Sequence, residues 1–124
     1  MAETKTVLVA DDETMLRQLI RATFRGRPLR ILEAASGAET LLLARSERPH
    51  LVLLDVGLPE PDGYAVCAAL KKDPVTAGIK VVMLTARAQR HDLERGAAAG
   101  ADAYITKPFS PQRLLSDLDG FLRD

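Results

Sequence analysis

The sequence predicts an α/β domain built on a five-stranded parallel sheet with helices on both faces. Three observations carry that expectation. Short apolar runs alternate strictly with stretches of helical periodicity. The links between them are short. The chain has 124 residues, 47% of them hydrophobic, which suits one compact domain able to bury its own core. Strand–helix alternation of this kind implies a parallel sheet covered on both sides.

The first strand is read at TVLVA, Thr6–Ala10. After Asp12, residues Leu16, Leu19, Ile20, Thr23 and Phe24 recur at helical spacing. RILEA, Arg30–Ala34, is the second strand. Ser36-Gly37-Ala38-Glu39 then has an acid three residues after a serine, a capping-box signature, ahead of LLLA. LVLL, Leu51–Leu54, is the third strand, and it runs straight into Asp55. Asp62 is placed to cap a third helix carrying Val66, Cys67 and Leu70, with Asp73-Pro74 after it. IKVVML, Ile79–Leu84, is the fourth strand. The alanine-rich Gln89–Ala99 segment is the fourth helix, with Gly100 as its C-cap. AYI, Ala103–Ile105, is the fifth strand. Ser110-Pro111 puts a proline in the first turn of a last helix bearing Leu114, Leu115, Leu118 and Phe121. Right-handed crossovers leave few topologies for such a (βα)5 chain, and five strands fit the flavodoxin-like order 2-1-3-4-5. Residues 1–124 read as a single domain without linker, repeat or low-complexity tract.

Composition narrows the function. The 17 basic and 17 acidic residues balance to zero, which argues against direct nucleic-acid binding by this domain. No apolar stretch is long enough to span a bilayer, so no membrane partner is expected. The start, MAETKTVLVADDE, lacks a signal peptide's charged region and cleavage site. A single Cys excludes an internal disulfide and points to the cytoplasm. Cys67 itself reads as a small buried filler. His50 and His91 lie far apart in polar contexts and read as solvated side chains, not metal ligands.

The chemistry gathers at one edge of the expected sheet. In an open α/β sheet, ligands bind outside the carboxyl ends of the strands, near the switch point in strand order. The expected order puts strands 1 and 3 side by side. Strand 1 runs into Asp11-Asp12-Glu13 and strand 3 into Asp55. Three ionised carboxylates close together repel, and their pKa values rise unless a cation compensates. A hard divalent ion with oxygen ligands is the natural compensator, and Mg²⁺ takes one or two carboxylates while keeping several waters. Lys107, ending strand 5 on the same side, is a second compensator. Thr85 ends strand 4 there and offers a hydroxyl. Each residue alone has a plain alternative, since Asp and Thr favour loops and helix N-caps. Their joint placement at strand C-termini favours a site. A carboxylate in such a setting is a nucleophile able to form an aspartyl phosphate, with Mg²⁺ and Lys neutralising the transferring phosphoryl group.

The segments VLVADDE, LVLLDVGLPEPDGY, VVMLTARAQ and GADAYITKPFSPQRL resemble, in order and spacing, the receiver domain of two-component response regulators. The resemblance covers essentially the whole chain. Receivers are themselves known examples of the strand order above, so that order is not an independent inference. The resemblance implies Asp55 as phosphoacceptor. It implies Mg²⁺ held by Asp12 directly, by Asp11 directly or through water, and by Asp55 and the carbonyl of Gly57. Lys107 contacts the phosphoryl group, and Thr85 hydrogen-bonds it after transfer. Tyr104 is the aromatic switch residue, turning inward as Thr85 moves; the alternative is that it simply packs against the fourth helix. Lys107-Pro108 is the family's cis peptide, which orients Lys107. Pro59 and Gly63 match the turn after the phosphorylation strand. Two features depart from common family patterns and bear on phosphoryl lifetime: Gly57 has no side chain, and Arg87 sits two residues after Thr85.

The partners implied are a histidine kinase or phosphotransfer protein as donor, and a downstream effector protein or fused output domain as reader. Small phosphodonors such as acetyl phosphate also qualify. The output surface is the helix 4–strand 5–helix 5 face, which is also a candidate homodimer face. The paired-charge dimer of the winged-helix subfamily is not expected, because Asp102-Ala103 and the Arg113/Asp117 order differ from its pattern. Met15 on the first helix reads as ordinary surface or as part of a kinase-docking face.

Three other functions fit the sequence less well. A phosphatase with an aspartate nucleophile resembles D-x-D-x-T, whereas Asp55 is followed by Val56-Gly57-Leu58. A flavin or nucleotide binder needs a Gly/Ser/Thr-rich loop after strand 1, where this chain has Asp11-Asp12-Glu13. A phosphorylation-independent interaction domain is the main alternative. Against it stands the full set of acids, Thr85 and Lys107. The expected function is therefore a phosphoacceptor regulator, whose chemistry acts only on its own aspartate.

Overall fold

The computed structural model describes residues 4–86 and 90–122. Five strands and five helices alternate among them: β1 (Lys5–Ala10), α1 (Thr14–Thr23), β2 (Leu29–Ala34), α2 (Gly37–Glu47), β3 (Leu51–Asp55), α3 (Gly63–Lys72), β4 (Lys80–Thr85), α4 (Arg90–Ala99), β5 (Ala103–Thr106) and α5 (Pro111–Leu122). The sheet is wholly parallel, in the order β2-β1-β3-β4-β5. This is the expected architecture. The expected helix start at Gln89 lies outside the described residues.

Local chemistry explains most boundaries. The Ser36 side chain accepts the Glu39 N–H at 3.2 Å, and Glu39 reaches back to the Ala35 N–H at 2.7 Å. That is a capping box displaced by one residue. Asp62 accepts the Ala65 N–H at 2.9 Å. Gly100 follows α4 at φ +96, a left-handed conformation that glycine adopts without strain. Ile79, expected in the fourth strand, is instead held in the preceding turn by its N–H bond to the Thr76 carbonyl. The N-cap of α1 is Glu13, without a side-chain cap. Asp11 and Asp12 therefore do not serve as its caps.

The core has two layers, one on each face of the sheet. Ile20 of α1, Phe24 at its C-cap, and Leu114 and Leu118 of α5 cover Leu51, Leu53 and their neighbours. Helices α2, α3 and α4 cover Val52, Leu54 and Met83 from the other side. All five β3 residues are buried. Burying each of its four leucine and valine side chains stabilises the fold by about 1.5–3 kcal/mol. β3 is thus a central, doubly covered strand that presents Asp55 at its C-terminal edge. Cys67 is fully buried, as expected, and its thiol is pushed up to about 11 by burial. His50 is exposed, but it is more than a solvated side chain. Its Nδ1 accepts the Thr6 N–H at 3.0 Å. The side chain of His91 lies outside the described residues.

Candidate functional site

Strand parity sorts the candidate residues. Asp55 follows Leu51 and Leu53 on the α1/α5 face, and Asp11 and Lys107 continue that parity from Val9 and Ile105. Thr85 and Tyr104 fall on the α3/α4 face, in line with Met83. The two groups meet at the C-terminal edge of the sheet.

Asp11 is completely buried. Its N–H extends the sheet to the Ala34 carbonyl at 3.0 Å. Its Oδ1 accepts the Glu13 N–H at 2.9 Å, and its Oδ2 accepts from Lys107 Nζ at 2.9 Å. Lys107 Nζ also donates to Asp55 Oδ1 at 3.1 Å. Glu13, exposed, stands 3.7 Å from the same ammonium. Asp12 is exposed beside them. Carboxylate oxygens of Asp11, Asp12 and Asp55 lie within 4.8 Å of one another.

The charges explain the titration of the site. Burial, and then the Asp11 carboxylate, push Asp55 above the usual aspartate range. Lys107 and the Gly57 N–H oppose this without cancelling it. Burial lowers Lys107, but its bond to Asp11 and the charges of Asp11 and Asp55 outweigh that and hold the ammonium above the usual lysine value. Three carboxylates thus face one firmly protonated lysine. The donors are all hard oxygens, and the surplus negative charge is what a small divalent cation relieves. The residues therefore fit Mg²⁺.

Thr85 is buried, and its carbonyl accepts the Lys107 N–H at 2.7 Å. Thr85, Asp55, Gly57, Ala86 and Lys107 line a cleft of about 230 Å³. Gly57 is exposed at its rim. A Cβ on Gly57 would stand 3.5 Å from Asp55 Oδ2, an ordinary contact. Gly63 is different. A Cβ there would run into the Asp55 backbone carbonyl, so the turn closes tightly only with glycine. The Lys107–Pro108 bond is cis, as expected, and Glu60–Pro61 is a second cis bond. Pro108 is exposed and lines a neighbouring apolar cleft of about 380 Å³ with Leu16, Leu19 and Phe109. Met15 on α1 is 82% exposed.

Tyr104 stands apart from the cleft. It packs half-buried against α4, and its hydroxyl meets that of Tyr64 at 2.9 Å. Arg87, expected to bear on phosphoryl lifetime, lies outside the described residues.

Three supporting residues, Arg17, Arg21 and Glu33, carry no motif that marks them as part of the site. Arg17 donates to the Asp11 carbonyl at 2.6 Å and to Glu33 Oε1 at 2.9 Å. Arg21 takes the other Glu33 oxygen at 2.9 Å. Burial raises Glu33, but the two guanidiniums outweigh it and leave its carboxyl below the usual range. The available signal was a lone acid in an apolar strand, with two arginines one turn apart on the preceding helix.

A family model for the response regulator receiver domain matches residues 7–119. The chain belongs to that family. It is 39% identical over 119 residues to ycf27 of Cyanophora paradoxa, covering 96% of this chain and 48% of that protein. It is 37% identical over 119 residues to the phosphate regulon transcriptional regulatory protein PhoB of Pseudomonas aeruginosa, covering 96% and 52%. The chain thus spans about half the length of these curated relatives. Among solved structures, the chemotaxis response regulator CheY4 of Vibrio cholerae matches with a TM-score of 0.90 at 28% identity, covering 96% of this chain and 99% of that one. The expected family and fold therefore hold. No helix among the described residues is long and apolar enough to cross a membrane.

Proposed function

We propose that residues 1–124 form one phosphoacceptor receiver domain, in which Asp55 takes a phosphoryl group from a histidine kinase or phosphotransfer protein. The observation that carries this reading is the Asp11–Lys107–Asp55 cluster at the mouth of a cleft. An Asp55 carboxylate oxygen attacks phosphorus. The bond from phosphorus to the donor imidazole breaks, and its electron pair leaves with the imidazole. With acetyl phosphate, the pair leaves with acetate. The product is an aspartyl phosphate. Lys107 keeps its proton and holds the phosphoryl oxygens by charge and hydrogen bonds. Thr85, already lining the cleft, donates its hydroxyl to the new phosphoryl group. Asp11, Asp12, Asp55 and the Gly57 carbonyl hold Mg²⁺. When bound, that ion neutralises phosphoryl charge and offsets repulsion between the carboxylates. Positioning and electrostatics are the main demands of this reaction.

The domain acts on its own Asp55 only and is not a multiple-turnover enzyme. Thr85 and Tyr104 relay phosphorylation to the α4–β5–α5 face, which an effector, a fused output domain or a second copy reads. Arg113 pairs with Asp117 at 3.5 Å, and Asp102 pairs with Lys71 at 2.9 Å. Those charges are engaged within the chain, which supports a face without the paired-charge dimer. The free thiol of Cys67 supports a cytoplasmic setting. The test is intact mass after incubation with Mg²⁺ and acetyl phosphate. One phosphate is expected on the wild type and none on Asp55→Asn; no adduct on either would reject the proposal.

A further inference from the structure

Tyr104 sits in a socket made by α3 and α4. One wall is Gly96 in α4, where a Cβ would run into the Tyr104 ring. Glycine inside a helix is unfavourable relative to alanine. Its presence here weakens α4 and makes room for the ring. The other wall is Tyr64, the second residue of α3, which is buried. Its hydroxyl pairs with the Tyr104 hydroxyl at 2.9 Å. Arg95, beside Gly96, lays its guanidinium 4.1 Å from the centre of the Tyr64 ring. One turn of α4 therefore touches both aromatic rings.

We propose that Tyr64 is a positioning residue for Tyr104: its hydroxyl, together with the notch at Gly96, holds the ring in the socket and sets the balance between docked and undocked Tyr104. The role in signalling rests on the reading of Tyr104 as the switch residue. A motion of Tyr104 linked to Asp55 must make or break the hydroxyl pair. The pair then adds its free energy to one side of that equilibrium. Tyr64→Phe removes this partner hydroxyl and keeps the ring. One net hydrogen bond corresponds to about a two- to tenfold change in the docked ratio.

The sequence offers a clean probe, because Tyr64 and Tyr104 are its only tyrosines. Protein labelled with 3-fluorotyrosine gives one fluorine signal from each, and Tyr104→Phe assigns them. Without any phosphodonor, Tyr64→Phe is expected to move the Tyr104 signal toward that of a mobile ring. Gly96→Ala, which fills the notch and leaves the hydroxyl of Tyr64 in place, is expected to move it the same way. Circular dichroism checks that both variants stay folded. The midpoint of the Tyr104 response to beryllofluoride with Mg²⁺ should then shift about two- to tenfold in Tyr64→Phe. A Tyr104 signal that matches wild type in both variants overturns the socket. A signal that Tyr64→Phe moves but beryllofluoride leaves unmoved in the wild type overturns its role in switching. Failure of Asp55 to take phosphate would be seen separately, by mass, and would reject the receiver function instead.

Discussion

Lys107 reaches across the C-terminal edge of the sheet to Asp11, which is completely buried, and holds its Oδ2 at 2.9 Å. The same ammonium spans to Asp55. One cation therefore organises two carboxylates that are 44 residues apart in the chain. Removing it leaves a buried charge without its partner. Lys107→Met is expected to destabilise the metal-free protein by about 3 kcal/mol. If the proposed Mg²⁺ site is formed by these oxygens, millimolar Mg²⁺ is expected to restore part of that loss, since the site exists only in the folded protein. Urea denaturation with and without Mg²⁺ checks both.

Asp55 carries the opposite sign. Burial and Asp11 raise its folded pKa, so its charged form is a cost to the fold at neutral pH. The contribution of Asp55 to stability is greatest below the unfolded aspartate pKa and is lost as pH rises through the raised folded value. Asp55→Asn is therefore expected to raise the thermal midpoint of the metal-free protein at pH 7. It is also expected to abolish most of the stabilisation that Mg²⁺ gives the wild type. Differential scanning calorimetry measures the two effects together.

For the proposed Mg²⁺ site, the same raised pKa sets the pH dependence of binding. Metal ligands must be deprotonated, so Mg²⁺ competes with protons at Asp55. Calorimetric Mg²⁺ titration at decreasing pH is expected to show affinity falling at a higher pH than an ordinary aspartate would give.

Asp102 shows the usual carboxylate behaviour. Burial alone raises it, but the Val81 N–H at 2.8 Å and Lys71 at 2.9 Å leave it below the usual value. Its stabilising contribution is present above the unfolded pKa and disappears as pH falls through the lowered folded value. Asp102 is exposed, so solvent screens its pair with Lys71, and Asp102→Ala is expected to cost about 1 kcal/mol at pH 7. The gap to wild type should close in strong acid, as chemical denaturation at the two pH values would show.

Gly63 sets the turn beneath Asp55. A Cβ there meets the Asp55 carbonyl, so Gly63→Ala must displace β3's end or the start of α3. Overpacking of this kind costs roughly 1–3 kcal/mol. Because the clash is with Asp55's own backbone, phosphorylation by acetyl phosphate is expected to slow as well, which time-resolved mass measurement follows.

Much of this was legible in the chain. An unbroken apolar run ending in Asp55, followed at once by Gly57 and Pro59, marks a buried strand delivering a carboxylate to a turn. Asp11-Asp12 after TVLVA marks the neighbouring strand end. Strand order then brings them together. The contacts that position these groups were not legible, because they join distant segments through single side chains. Arg17 and Glu33 brace Asp11 across α1 and β2. Tyr64 meets Tyr104 across 40 residues. Periodicity reports which face a residue occupies, not which partner it finds there. Turns defeated it too: Arg48 ends α2 in a left-handed conformation at φ +46 that glycine or asparagine would have signalled.

The central claim is that Asp55 is the residue that becomes phosphorylated. Borohydride reduces an aspartyl phosphate to homoserine and leaves a free carboxylate untouched. The protein should be treated with Mg²⁺ and acetyl phosphate, reduced, digested and sequenced by mass spectrometry. The result expected is homoserine at position 55 and at neither Asp11 nor Asp12. Homoserine at Asp11 or Asp12 with Asp55 unchanged would contradict the account.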